Sequence, residues 1–452
     1  MTDAPPGHRR APASLITGRV VLWAAFALVH LWLAVLALHA PGYPIGDVTL
    51  VYKTWSEQAL TAGYWMGVDG PFVYPVLALA PMLAASALGP AHFATTWLIV
   101  VTLVNAVGFG AVVGWRRPAQ RASVAWWWLT FLLLLGPIAL VRIDSITVAL
   151  ALVGVLMLAT RPRAAALVLT VATWIKVWPA ALIGAILIAS RHRGAVAGTA
   201  AAASAVVVAG ALALGGGANV FSFVTQQTGR GLQVEAPVTT LWLWLAAAGV
   251  PDTFVYYDTE ILTFQVQGGS VGAVAAAMTP LLALAALAVV ALGIRAARRG
   301  APVGQLLAPL SLALVATLIA FNKVGSPQFI GWLAVPVVLG LATSAAGHGR
   351  SFRVPAAIVL VLAVLTQAVY PYFYDNLLSL DRVLLLVLTA RNLLLFVLLG
   401  WAVHALLALG RRDGADRRDN GGGHRDVAAP VDPASPSPRP RRDGPPTPTS
   451  QQ

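Results

Sequence analysis

The chain has 452 residues, of which 58% are hydrophobic and only 10% are charged, against about 25% charged in an ordinary soluble domain. A soluble fold cannot bury that much apolar surface, so we expect the lipid bilayer to be the protein's main partner. The formal net charge of +13 comes largely from short arginine clusters between apolar runs, which argues against nucleic-acid binding, and the lack of cysteine excludes disulfides and thiolate metal sites.

Taken in chain order, residues 1–14 are polar and predict a disordered cytoplasmic N-terminus. Residues 15–410 predict one polytopic membrane domain, and the Pro-rich, basic stretch 411–452 predicts a disordered cytoplasmic tail. The first apolar run is too long for a signal-peptide core, so we interpret it as an uncleaved anchor. Hydropathy predicts about twelve membrane-spanning helices. They cover residues 17–38, 92–114, 122–141, 145–159, 163–174, 177–190, 195–214, 271–294, 303–321, 327–344, 353–370 and 382–409.

The apolar run 72–89, which follows the first loop, decides the orientation of everything after it. If this run is an interfacial or re-entrant helix, the loops that contain arginine but neither lysine nor acid all face the cytoplasm, as the positive-inside rule requires. All three lysines, Lys53, Lys176 and Lys323, then face outward. We therefore predict an all-α, multi-pass protein of the cell membrane with both termini cytoplasmic and a polar extracytoplasmic site.

Asp47 lies nine residues beyond the first predicted span, at the expected membrane surface. A carboxylate there suits a general base, although a solvated loop acid or a helix N-cap also fits its position. Arg142 and Asp144 end the third span, where such a pair either neutralises itself or binds phosphate. Lys176 lies between two short apolar runs, where a phosphate is a natural counter-charge. The alternative for Lys176 is a side chain that snorkels to the interface.

Other polar residues fall on the same predicted side. Lys323 and Gln328 share a tight turn that fits either a phosphate or sugar site or an ordinary interfacial loop. The long segment 215–270 carries Arg230 among aromatic side chains that suit a carbohydrate but also populate any membrane interface. Arg391 lies inside the last span and either snorkels or reaches the outer site. No Gly-rich phosphate loop or metalloprotease motif is present. The prediction of a site therefore rests on these polar residues taken together and not on any single motif.

Taken together, these segments resemble glycosyltransferase family 87, polytopic enzymes of the GT-C fold class that use polyprenol-phosphate sugars. The resemblance extends over about residues 40–335, in the family's order. The family commonly has two prolines where this chain has Pro75 and Val76. The matching stretches are the Asp47 loop with Val51-Tyr52, Phe72-Val73-Tyr74-Pro75, Arg142-Ile143-Asp144, Ala172 to Pro179, and Ser326-Pro327-Gln328.

The resemblance implies that Asp47 is the catalytic base of a single inverting displacement. Lys176, with Arg142 or Lys323, would offset the charge on the departing lipid phosphate, with no obligatory metal or other cofactor. The expected donor is polyprenol-phosphate mannose, with polyprenol-phosphate arabinofuranose as a competitor. The expected acceptor is a cell-envelope glycolipid or polysaccharide. The other residues expected to contact substrate are Tyr52, Tyr74, Asp144, Gln328 and Arg230.

Two other classes of protein stay open. A transporter or lipid flippase usually has ionisable groups near the bilayer midplane. Here only Arg391 argues for that class of protein. A non-catalytic membrane scaffold gives no reason for Lys176 to lie in a broken span.

Overall fold

The computed structural model describes residues 18–114, 118–226 and 229–410. The termini predicted to be disordered, 1–14 and 411–452, lie outside these residues. The described chain is mostly helical. Its helices are α1 (Arg19–His39), α2 (Lys53–Ala62), α3 (Leu79–Ala85), α4 (Phe93–Val113), α5 (Pro118–Leu135), α6 (Ile143–Met157), α7 (Pro162–Ile175), α8 (Ala180–Ala189), α9 (Arg193–Ala213), α10 (Ser222–Thr225), α11 (Thr240–Ala247), α12 (Val271–Arg298), α13 (Val303–Ala320), α14 (Ala334–Ala345), α15 (Arg353–Gln367), α16 (Tyr374–Leu378) and α17 (Arg382–Leu409).

Nine helical segments of the described chain are long and apolar enough to cross a bilayer. A helix rises about 1.5 Å per residue, so roughly 20 residues cover a hydrocarbon layer of about 30 Å. These nine segments coincide with nine of the predicted spans, and the protein is a polytopic membrane protein, as predicted. The other three predicted spans are the shorter helices α6, α7 and α8, of 15, 14 and 10 residues. Helices α7 and α8 are separated by a bend at Lys176.

The apolar run after the first loop forms only a short helix. A 3₁₀ turn over Val76–Ala78 leads into α3, which has seven residues and packs against α2 and α4. The 3₁₀ turn and α3 together rise about 15 Å, roughly half of the hydrocarbon thickness. This length accords with the predicted interfacial or re-entrant helix.

The fold departs from the all-α prediction in one place. Strands β1 (Phe254–Asp258) and β2 (Thr263–Gln267) form an antiparallel hairpin. Segment 232–234 lies beside β2, where the backbone N–H of Val234 donates to the carbonyl of Phe264 at 3.1 Å. Aromatic and β-branched residues favour strands, although the same aromatic residues also suit a carbohydrate site or a membrane interface.

Burial separates central helices from peripheral ones. The segment that forms α13 is 78% buried, whereas α9 is only 11% and α12 only 17% buried. An apolar helix whose side chains are mostly exposed requires an apolar surrounding, which the bilayer provides. The central helix α13 is therefore surrounded by protein, and the residues after its C-terminal end lie next to the site described below. Helices α9 and α12 present their surfaces to lipid.

Candidate active site

Polar segments that follow the C-terminal ends of α1, α7, α9 and α13 meet around a cavity of about 530 Å³. This volume is within the usual range of ligand sites, about 300–1,000 Å³. Arg161 and Arg193 lie at the opposite ends of α7 and α9. The ionisable and amide side chains that line the cavity are Asp47, Lys176, Arg230, Glu260, Lys323, Gln226, Gln233, Asn322 and Gln328.

Asp47 begins one turn of π-helix, over Asp47–Tyr52, that leads into α2. Single π turns are rare and occur frequently at functional sites. The Asp47 side chain is 42% exposed, and its Oδ2 lies 2.9 Å from Nε of Arg142. The carboxylate therefore faces the cavity with one oxygen in an ion pair.

Arg142 lies behind Asp47 and is buried among protein acceptors. Its guanidinium donates hydrogen bonds to the carbonyls of Pro44 at 2.7 Å and Val141 at 2.9 Å, and to the Tyr370 hydroxyl at 3.2 Å. Burial opposes its charge, but the Asp47 carboxylate, together with Tyr370 and Tyr52, raises the pKa of Arg142 above its usual range. These contacts indicate that Arg142 stabilises the Asp47 loop, in contrast to its predicted role as a phosphate ligand.

Lys176 faces the cavity, with Asp144 behind it. The Lys176 ammonium lies 3.4 Å from Oδ2 of Asp144 and 4.5 Å from the centre of the Tyr74 ring. The indole N–H of Trp332 donates to the other Asp144 oxygen at 2.7 Å. Burial disfavours the charge on Lys176, yet the Asp144 carboxylate raises its pKa above the usual value. Asp144 thus orients Lys176 from a buried position and does not line the cavity, so its predicted contact with substrate does not fit.

The two tyrosines expected at the substrate take different places. Tyr74 lines the cavity beside Lys176. Tyr52 is buried, and its hydroxyl accepts a hydrogen bond of 3.2 Å from the backbone N–H of Ile143. Tyr52 therefore ties the π turn to the start of α6, which is a structural role in place of the predicted contact with substrate.

Arg230 and Lys323 place further positive charge on the cavity wall. The Nε of Arg230 is buried and has no hydrogen-bond partner among the described residues. Burial lowers the pKa of Lys323, and the nearby Arg230 lowers it further. Two cations that repel each other in a partly buried site favour an anion between them. This part of the cavity is therefore suited to a phosphate group.

Close backbone contacts join the two chain segments that carry these cations. The N–H of Gln233 donates to the carbonyl of Lys323 at 3.1 Å. A Cβ atom on Gly325 would lie only 2.0 Å from the backbone nitrogen of Ala236, so only glycine allows this approach. Segment 233–236 is thus packed directly on the turn that carries Lys323.

Glu260 and Trp332 are among the cavity residues that were missing from the sequence-based candidates. Trp332 comes four residues after Gln328, and this spacing could have indicated a shared helical face. Glu260 lies in the turn of the hairpin, whose approach to the cavity has no signal in the sequence.

Comparison with protein-family models, with curated proteins and with solved structures found no match for this chain. Among the residues that the structure describes, no group of three or more His, Asp or Glu side chains is placed to hold a metal ion. The function of the protein is therefore inferred from the chemistry of the cavity itself.

Proposed function

We propose that the protein is a glycosyltransferase that moves a sugar, with mannose as the expected one, from a polyprenol-phosphate donor to a cell-envelope glycolipid or polysaccharide. The observation that carries this proposal is the lining of one cavity by two carboxylates, Asp47 and Glu260, and three cations, Lys176, Arg230 and Lys323. A base for the acceptor and positive charge for a phosphate are the two requirements of the reaction. We place this cavity at the extracytoplasmic face, because the arginines at the opposite helix ends follow the positive-inside rule.

The proposed chemistry is one displacement at the anomeric carbon of the donor. The acceptor oxygen forms a bond to that carbon as the bond from the carbon to the phosphate oxygen breaks, which inverts the configuration. The acceptor proton goes to Asp47, and the electron pair of the broken bond stays on the lipid phosphate. Lys176, Arg230 and Lys323 stabilise the negative charge that develops there.

The resemblance to glycosyltransferase family 87, and with it the GT-C fold, is part of the same proposal. It is supported by the fact that four of the resembling segments contribute to the cavity lining, through Asp47, Tyr74, Lys176 and Gln328. The fifth segment supplies Arg142 and Asp144, which bond to Asp47 and Lys176.

The apolar wall of the cavity favours a lipid-linked donor. Met278 and Leu282 of α12 line the cavity together with Phe321. Because α12 is mostly exposed, this wall adjoins the surface that faces the bilayer. A donor whose phosphate binds the cations can keep its isoprenoid chain in lipid, which a nucleotide sugar would not need.

The contacts of Arg391 bear on the transporter alternative. Arg391 was the residue that favoured it, because an ionisable group inside a span often lies on a transport path. Its guanidinium is buried and bonds to Glu235 instead. The positive charge of Arg391 is thus paired with the Glu235 carboxylate within the protein.

The decisive experiment offers purified protein each radiolabelled polyprenol-phosphate sugar together with a crude cell-envelope glycolipid extract. We expect label from the mannose donor to appear in the glycolipid fraction. Transfer from the arabinofuranose donor alone would change the sugar and keep the enzyme class. Movement of intact donor across vesicles without any transfer would replace the enzyme by a transporter.

Donor binding should weaken at alkaline pH because of Lys323. The pKa of this lysine is lowered by burial and by Arg230, so it loses its proton at a lower pH than an ordinary lysine. The donor KM should therefore rise as pH increases toward the usual lysine range. The Lys323→Arg variant, which stays charged, should remove this alkaline rise. An unchanged pH profile in that variant would exclude Lys323 from the phosphate site.

A further inference from the structure

A buried ion pair joins the last helix to the cavity wall. In α17, Nη1 of Arg391 contacts Oε2 of Glu235, and Nη2 donates to the Glu235 carbonyl at 2.6 Å. Asn392 accepts two further hydrogen bonds from the same guanidinium. Its own amide donates to the Thr240 hydroxyl at 2.9 Å. Arg391 therefore binds both the side chain and the backbone of Glu235.

Stability alone is a weak reason for this arrangement. Both charges are almost completely buried, and the cost of removing them from water can exceed their attraction. Burial raises the pKa of Glu235, an effect that Arg391 only partly offsets. Apolar side chains of similar size often stabilise such a position equally well. A role in geometry explains the pair better.

The segment that the pair anchors supplies one wall of the cavity. Glu235 is flanked by Gln233, whose N–H bonds to the carbonyl of Lys323, and by Ala236, whose nitrogen packs on Gly325. Arg230 lies five residues before Glu235. Arg391 thus holds the segment that sets the separation between Arg230 and Lys323.

We propose that Glu235 and Arg391 are positioning residues for an anion subsite formed by Arg230 and Lys323. Neither residue of the pair touches the anion. The identification of that anion as the donor phosphate rests on the proposed function, whereas the subsite itself is defined by its two cations.

The test measures the binding of citronellyl phosphate, a short lipid phosphate, to the full-length protein in detergent by calorimetry. Glu235→Gln keeps the shape of the side chain but removes the charge that Arg391 contacts, which weakens the anchor of the segment. We expect affinity to fall about tenfold, the change that 1.4 kcal/mol produces. The matched control is Glu57→Gln, which removes a carboxylate from a half-buried pair with Lys53, 3.8 Å apart, and should bind as the wild type does.

A double-mutant cycle separates positioning from general destabilisation. If Glu235 acts through Arg230, the loss caused by Glu235→Gln should disappear in an Arg230→Gln background. A purely structural role would lower the melting temperature and affect binding by the same factor in both backgrounds, which would overturn the proposal. Should Glu235→Gln fail to fold, Arg391→Lys keeps the charge and can take its place in the cycle.

The outcomes for the two proposals are distinct. Sugar transfer together with wild-type binding by folded Glu235→Gln would reject the positioning role and keep the enzyme. If the effect of Glu235→Gln on binding disappears in the Arg230→Gln background but no sugar is transferred, the positioning role is kept and the enzyme is rejected. Failure of the wild type to bind citronellyl phosphate would remove the anion subsite, and the positioning role with it.

Discussion

Replacement of Asp47 by asparagine is expected to abolish sugar transfer and to leave the protein folded. Asparagine keeps the size of the side chain and an oxygen that can accept the hydrogen bond from Arg142. It cannot take a proton from the acceptor hydroxyl at neutral pH. General-base catalysis contributes about 10²–10⁴ to the rate, so we expect a loss of at least that scale.

The measurement is transfer of radiolabelled sugar in membranes that contain equal amounts of each variant. Donor binding should persist in Asp47→Asn, because the cations of the cavity are unchanged. Glu57→Gln is again the matched control, since it neutralises a half-buried acid on α2, the helix that follows the Asp47 turn. Asp47→Ala should be equally inactive. Normal transfer by both Asp47 variants would remove this residue as the base.

The second large effect is expected at Lys176, in two separable parts. Lys176→Met should lower kcat/KM by about 10²–10³, the scale seen when one group that stabilises transition-state charge is removed. The same change should destabilise the protein by about 3–5 kcal/mol, because it leaves the buried Asp144 carboxylate without its cation.

A double variant distinguishes the two parts. In Lys176→Met with Asp144→Asn, no unpaired charge remains, and the asparagine oxygen can still accept from Trp332. We expect thermal unfolding to return close to the wild-type temperature while transfer stays low. Recovery of full activity in the double variant would show that Lys176 contributes only to stability.

The sequence predicted the membrane fold through the simplest signal, the length of its apolar runs. It also placed Asp47, Lys176 and Lys323 on one side of the bilayer, from the distribution of arginine in the loops. The structure brings these three side chains to one cavity. Charge sorting between the two ends of helices therefore carried most of the information about the site.

The partners of each charge could not be predicted, because they depend on which helices are neighbours. Arg142 and Asp144 are separated by one residue in the chain, yet Arg142 pairs with Asp47 and Asp144 with Lys176. The intervening residue starts α6, so the two side chains leave the backbone in different directions. Arg391 and Glu235, 156 residues apart, pair in the same unpredictable way.

The walls of the cavity come from points that are far apart in the chain, from Asp47 near the start to Trp332 at the base of α14. During synthesis, membrane insertion delivers α1 and α7 long before the turn that contains Lys323. A nascent chain that has inserted only its first half holds the carboxylate and one cation but no closed chamber. Completion of the cavity thus requires the later part of the chain, which supplies Arg230, Lys323 and Trp332.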